Sequence, residues 1–154
     1  MATMRRKDRV ISDAEARELL NKAEYGILST ASDDGQPYGV PLNFCVIEDC
    51  LYFHHAVEGH LIKNVSSNSR VSFCVVGDTE LMPEKFGTLY ESVILSGNIE
   101  EVFDARKQIG LEGLVAKYAP DFRDEGQEYI QKLRDRTRVF RITITDISGK
   151  ARRK

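Results

Sequence analysis

The spacing of apolar positions changes along the chain, and each change marks an element. Val40, Leu42, Phe44 and Val46 alternate with Pro41, Asn43 and Cys45, the two-residue period of a strand with one face toward a core. Glu48-Asp49 supplies a turn, and Cys50 to His54 resumes as an extended, aromatic-rich run. Upstream, Gly26 to Ala31 reads as a short strand, and Asp33-Asp34-Gly35-Gln36 reverses the chain into the strand beginning at Tyr38. Downstream, Arg70 to Val76 and Tyr90 to Val102 are strands; in the second, Val93 and Leu95 face one way and Ser92, Ile94 and Ser96 the other. Val139 to Ile147 closes the set, with Phe140, Ile142 and Ile144 on one face.

Helical spacing occupies the remainder. Ser12 and Glu15 form a capping-box pattern, with Ile11 and Ala16 as a hydrophobic staple, ahead of a helix that carries Leu19, Leu20 and Ala23 up to a stop at Gly26. Leu61, Ile62 and Val65 give a short helix one apolar side. Asp104 is placed to cap a helix through Tyr118 whose apolar side carries Ile109, Leu114, Val115 and Tyr118. Glu125 to Arg134 forms another, with Tyr129, Ile130 and Leu133 apolar. Gly77 to Thr88 holds a Pro, two Gly and mixed charge, and reads as an excursion from the sheet that faces a partner. Short connections favour antiparallel pairing, and the absence of repeated βαβ units disfavours a Rossmann sheet. The expected class is mainly β with α (α+β): a six-stranded antiparallel barrel with peripheral helices.

Composition narrows this picture without redirecting it. At 154 residues one domain is expected, spanning 1–154 with its core over about 10–147 and basic, polar, solvated ends. A net charge of -2 gives no basis for general nucleic-acid binding, although Arg-Arg-Lys at both 5–7 and 152–154 makes the ends locally basic. No run of ~18 apolar residues suggests a membrane span, and the polar start, Met1 to Arg9, is not of signal-peptide type, so a cytoplasmic location is expected. Cys45, Cys50 and Cys74 lack CxxC spacing and read as reduced, structural thiols.

The candidate chemistry concentrates where the strand from Cys50 ends. His54 and His55 are followed by Gly59-His60 at a helix start, so three histidines fall within seven residues. Adjacent strand residues point to opposite faces, so His54 and His55 do not share an ion and no metal site is expected. A small cofactor at this end is the central expectation. No Ser-His-Asp or Cys-His set is assignable, so hydrolase chemistry has no support and the catalytic residues are unknown.

The segments Tyr38-Gly39-Val40-Pro41-Leu42-Asn43-Phe44, Leu51 to His60, Pro83-Glu84-Lys85-Phe86 and Tyr90-Glu91-Ser92-Val93 resemble, in that order, the pyridoxamine 5′-phosphate oxidase-like flavoproteins, and among them the 5-nitroimidazole resistance, nitroreductase-like branch. The resemblance covers roughly 5–147. It implies a split β-barrel, a homodimer, and FMN at the subunit interface. By position, Val40, Pro41, Leu42 and Asn43 would run beside the isoalloxazine ring. Phe53, His54, His55 and Ala56 would border the ribityl chain and phosphate. Gly59 and His60 would open the phosphate loop, and Tyr90, Ser92 and Val93 would line the ring from the far strand or the partner chain. Many relatives place a Lys two residues after the loop Gly; here that position is Leu61, which leaves the phosphate to His60, backbone amides and Lys63. The implied activity passes electrons from NAD(P)H through FMN to a small acceptor such as a nitroaromatic or quinone. The alternatives are a flavin-binding protein without turnover and a haem-binding split barrel with an axial histidine.

Overall fold

The computed structural model describes residues 3–154. One antiparallel sheet takes all eight strands: β1 (Val10–Ile11), β2 (Gly26–Ala31), β3 (Pro37–Leu42), β4 (Cys45–Ile47), β5 (Cys50–Ala56), β6 (Arg70–Met82), β7 (Gly87–Val102) and β8 (Thr137–Arg152). Their order is β3-β2-β6-β7-β8-β5-β4, with β1 also on β8. Four helices flank it: α1 (Asp13–Lys22), α2 (His60–Ser67), α3 (Asp104–Tyr118) and α4 (Arg123–Leu133). The expected split barrel is present. Its strands outnumber the expected six because β1 adds one and the run from Tyr38 to Ile47 is broken at Asn43-Phe44 into β3 and β4.

That break defines the architecture. β3 and β4 are the two ends of the sheet, yet they are consecutive in the chain, so the barrel is joined there by two residues and not by a ladder. The Phe44 ring is fully buried and meets Phe73 edge-on, centroids 4.9 Å apart. The last turn of α3 seals the seam. Phe44 N–H donates to Tyr118 Oη at 2.9 Å, and the Tyr118 hydroxyl proton is aimed at the carbonyl of Glu24 at 2.5 Å, with the Phe44 carbonyl at 3.0 Å as the alternative acceptor. Lys117 Nζ lies 3.7 Å from the Phe44 ring centroid, where the face of the ring attracts the ammonium.

The main core alternates as expected: Leu28, Leu51, Phe53, Phe73, Val75, Val93, Leu95, Phe140 and Ile142 all point inward, under α1 and α2. Gly97 of β7 lies opposite the bulge of β8, whose extra residue is Thr145, and an added Cβ there would stand 2.3 Å from the Thr143 carbonyl oxygen. Ser12 Oγ accepts from Glu15 N–H at 3.1 Å and caps α1 as expected. Glu15 does not close the capping box, because its carboxylate pairs with Arg153 instead. The helix ends with Ala23 as its C-cap, short of Gly26.

Four expectations need correction. The segment from Gly77 to Thr88 is no excursion: Thr79 to Met82 pairs with Gly87 to Tyr90, and only Pro83–Lys85 forms a turn. It reads as a loop because a register shift between Val76 and Thr79 breaks the alternation, and because this part of the hairpin leaves the core, with Leu81 and Phe86 exposed. The C-terminal end is not a solvated tail. β8 continues to Arg152, with Gly149 small where Ile11 and Ala16 press on the strand, and Arg153 bridges Glu15 and Glu91. Asp104 is the first residue of α3 and Phe103 its N-cap, which makes no side-chain cap. The buried side of α3 runs through Leu111 and Leu114, leaving Ile109 exposed, and in α4 Ile130 is buried while Tyr129 is exposed. Among the described residues, no helix is long and apolar enough to cross a membrane.

The seam makes a stability prediction. Tyr118→Phe keeps the ring but leaves the Phe44 N–H and the Glu24 carbonyl without this partner, an expected loss of about 1–3 kcal/mol. Urea unfolding with an unchanged m-value reads it. A loss below ~0.5 kcal/mol would place the clasp among ordinary surface contacts.

Candidate functional site

β5 ends with His54-His55-Ala56, still laddered to Val139, Arg138 and Thr137 of β8, and the chain turns at Gly59, whose φ of +140° is open to glycine but strained for other residues. A side chain there would also meet His55 Cε1 at 3.4 Å. α2 then begins at His60 without a side-chain cap, so the amides of its first turn are open to a ligand. Its inner face is fixed in two ways. Leu61 is buried in the core, and the buried Asn64 donates from Nδ2 to Thr30 Oγ1 at 3.0 Å, tying the helix to β2. Burial explains Leu61: the position faces the core, and a lysine there would be desolvated.

His60 stacks on Tyr38, ring centroids 4.3 Å apart and planes within 2°, which ties the start of α2 to β3. Gly59, His60 and Lys63 form one wall of an open groove of about 1240 Å³, and Ser32, Asp33 and Asp34 of the β2–β3 turn form the other. The Asp34 carboxylate accepts from Ser32 Oγ and from Gln36 N–H, and these bonds, the hydroxyl's first, hold its pKa below the ordinary value. The α2 side of the groove thus sets the Lys63 ammonium and open amides beside Glu58, and the opposite side is anionic.

The two adjacent histidines differ. His55 Nδ1 lies 3.0 Å from the Ala56 carbonyl oxygen. A carbonyl only accepts, so Nδ1 carries a proton, and in the neutral ring Nε2 is the acceptor. The His54 side chain has substantial exposure, yet partial desolvation and then the like charge of His55 lower its pKa. Among the described residues, no group of three or more His, Cys, Asp or Glu is arranged to hold a metal.

The expected site residues separate into three sets. Gly59, His60 and Lys63 meet in the groove, with His54, His55 and Ala56 on the strand that leads to it. Val40, Pro41 and Leu42 lie on edge strand β3, and Asn43 is exposed in the seam. Tyr90 and Ser92 lie elsewhere: His54 pairs with Val139, whereas Tyr90 pairs with Arg152, thirteen residues further along β8. At ~3.3 Å per residue that is roughly 40 Å of strand. Phe53 and Val93 have buried side chains, Phe53 stacked on Phe140, so neither side chain is free to line a ligand. Sequence reasoning missed Tyr38 as a stacking partner, the Asn64–Thr30 bond and the Ser32–Asp34 wall. Each depends on β2, β3 and α2 meeting in space; only the Asp-Gly turn signal pointed near them.

Two measurements follow. In an NMR titration the His54 imidazole should have its midpoint below the ordinary 6.5. A depressed folded pKa means that the unfolded chain binds the proton first, so this contribution to stability is intact above the ordinary value and lost as pH falls through the folded one. His54→Gln should flatten that acid limb, and a midpoint at or above 6.5 would contradict the assigned environment. Burial pushes the Cys45 thiol up to about 11, so at pH 8 a thiol reagent should label Cys50 and Cys74 well before Cys45. Equal labelling of all three in the folded protein would contradict the packing of α3 on β4.

Residues 12–151 match the family model for pyridoxamine 5′-phosphate oxidase. Among curated proteins, none matches the chain at a significant level. Solved structures do. A FAD-binding protein of Mesorhizobium loti is 27% identical, with a TM-score of 0.66 over 94% of this chain and 98% of that one. A protein provisionally assigned to 5-nitroimidazole antibiotic resistance in Bacteroides thetaiotaomicron is 22% identical, with a TM-score of 0.75 over 92% and 86%. The FAD and heme binding protein of Mycobacterium smegmatis is 19% identical, with a TM-score of 0.80 over 93% and 72%. With the family model covering nearly the whole barrel, from the cap of α1 to the end of β8, the chain belongs to the pyridoxamine 5′-phosphate oxidase family.

Proposed function

We propose that the protein is an FMN-dependent oxidoreductase that works as a homodimer. The observation that carries this reading is the groove at the start of α2. An uncapped helix N-terminus, a glycine without a Cβ, His60 and Lys63 converge there, and the free edge of β3 lies beyond. This donor set fits a flavin phosphate, since open amides, the helix dipole and nearby cations all favour an anion. β3 pairs with β2 on one edge only, so alternate residues between Tyr38 and Leu42 leave backbone groups on the free edge, a pattern suited to hydrogen bonds with the rim of a planar ring.

A bound flavin supplies hydride and electron transfer, taking electrons from NAD(P)H and passing them to a small acceptor such as a nitroaromatic or quinone. The chain's own residues bind and orient. His60, held against Tyr38, keeps one ring face on the groove at little further entropic cost. His55 presents Nε2 as an acceptor toward a ribityl hydroxyl. Asp33 and Asp34 on the far wall repel a misplaced phosphate and so favour the α2 side. Tyr90 and Ser92, distant in the same chain, reach the ring from a second copy, which is why the functional unit is a dimer. The FAD-binding relative supports a flavin. The FAD and heme binding relative, together with a mainly neutral, exposed His54 able to offer an axial nitrogen, favours haem as the second reading.

The absorbance spectrum of purified protein, repeated after addition of FMN and removal of the excess, tests the cofactor. Retained flavin bands are expected, and a protein retaining no FMN, but showing a Soret band with haem, would overturn the reading. His60→Ala/Lys63→Ala should weaken FMN by about 10-fold or more while changing riboflavin little, because only the phosphate contacts are removed. Light scattering should find the flavin-loaded species dimeric; a stable FMN-loaded monomer would refute the shared site. NAD(P)H oxidation that saturates and depends on bound FMN distinguishes an enzyme from a flavin carrier.

A further inference from the structure

The two faces of the β7–β8 ribbon are unequal in charge. Alternation sends Glu91 and Ala151 to the side covered by α1, where Arg153 bridges Glu15 and Glu91. The other side receives Tyr90 opposite Arg152 and Ser92 opposite Lys150. Arg9, just before β1, reaches the same place. Its Nη1 lies 3.4 Å from Tyr90 Oη and its Cζ 6.0 Å from the ring centroid, while Lys150 Nζ stands 5.9 Å from that centroid. Arg152 lies over Gly87, with Nη1 2.6 Å from where a Cβ would be, so its guanidinium occupies the space a side chain would fill.

These cations lack counter-ions. Among the described residues, Arg6, Arg17, Lys22, Arg138, Arg141, Arg153 and Lys154 each pair with a carboxylate. Arg9, Lys150 and Arg152 have none within 4.0 Å among the described residues. All three are half-buried, as is Tyr90, so water screens them less than it would free side chains. Like charges gathered around one phenol without an anion repel, and the arrangement offers a guanidinium fork, an ammonium and a hydroxyl donor together. We propose that Arg9, Lys150 and Tyr90, with Arg152 at the rim, form a binding site for the phosphoryl group of a nucleotide. A dianionic phosphate matches two cations and a hydroxyl better than a carboxylate does, and Arg meets two of its oxygens at once. Within one chain the site lies at the opposite end of β8 from the α2 groove, and it stands whether or not that groove takes a flavin.

The flavin-free, full-length protein is titrated with inorganic phosphate and with pyrophosphate at low salt, followed by NMR. Saturable shifts at β7, β8 and the Arg9 segment are expected. Arg9→Gln/Lys150→Gln should weaken binding by about 10-fold or more, and Tyr90→Phe by about 3-fold. Lys22→Gln/Lys132→Gln, with the same change in net charge, should leave binding unchanged. Should the double variant fail to fold, Tyr90→Phe and the single Lys150→Gln carry the test. No saturable shift in the wild type, or an equal loss in the charge-matched control, would overturn the site. FMN, riboflavin and NADPH then identify the source. A variant that loses its preference for FMN over riboflavin assigns the phosphoryl group to a flavin, and one that keeps FMN but loses NADPH assigns it to the nicotinamide nucleotide.

Discussion

A sheet whose two end strands are consecutive in the chain is one short span from closing on itself, and here that span is Asn43-Phe44. Closure would require the backbone there to continue a ladder. Instead the Phe44 N–H and carbonyl face the Tyr118 hydroxyl, and the ring is buried against Phe73. An open edge is ordinarily a hazard, a row of donors and acceptors ready to pair with any other strand. The end of α3 covers one side of this seam and leaves β3 beside the start of α2, bridged by the Tyr38–His60 stack. The constraint that keeps the barrel split thus also leaves the free edge of β3 beside the groove proposed to hold the flavin.

The long β7–β8 ribbon sets the second condition. It runs from Tyr90↔Arg152 to Val102↔Val139, and β5 attaches only at its far end. Residues that the family resemblance groups around one flavin are therefore spread over opposite ends of a single chain. The proposed shared site would therefore draw its two ends from two chains, and a two-fold arrangement would supply each end to the other's groove.

The sequence made much of this legible where one face is buried. Alternation located the central strands because Phe53, Phe73, Leu95 and Ile142 must point inward, and the Ser12 cap was readable from local chemistry alone. It failed where burial lapses. Leu81 and Phe86 lie on a hairpin arm with no core beneath it, so no period marks the strands, and Gly149 is small because α1 crosses it, which no local pattern announces. Within the site, Gly59 and His60 were visible from type and spacing, whereas the Tyr38 stack and the Asn64–Thr30 tie exist only after folding. Phe53 and Val93 illustrate the opposite error: a resemblance places the segment, but strand parity decides which side chains the core takes.

Subunit complementation addresses the central claim, a flavin site assembled from opposite ends of two copies. One variant, His60→Ala/Lys63→Ala, disables the groove; another, Tyr90→Ala/Ser92→Ala, disables the far end. Each alone should retain little FMN. Co-refolded in equal amounts, random pairing makes half of the dimers mixed, and each mixed dimer regains one intact site of its two, so about a quarter of wild-type FMN should return. Recovery near that level would establish the shared site, whereas no recovery from dimers shown to be mixed would contradict it.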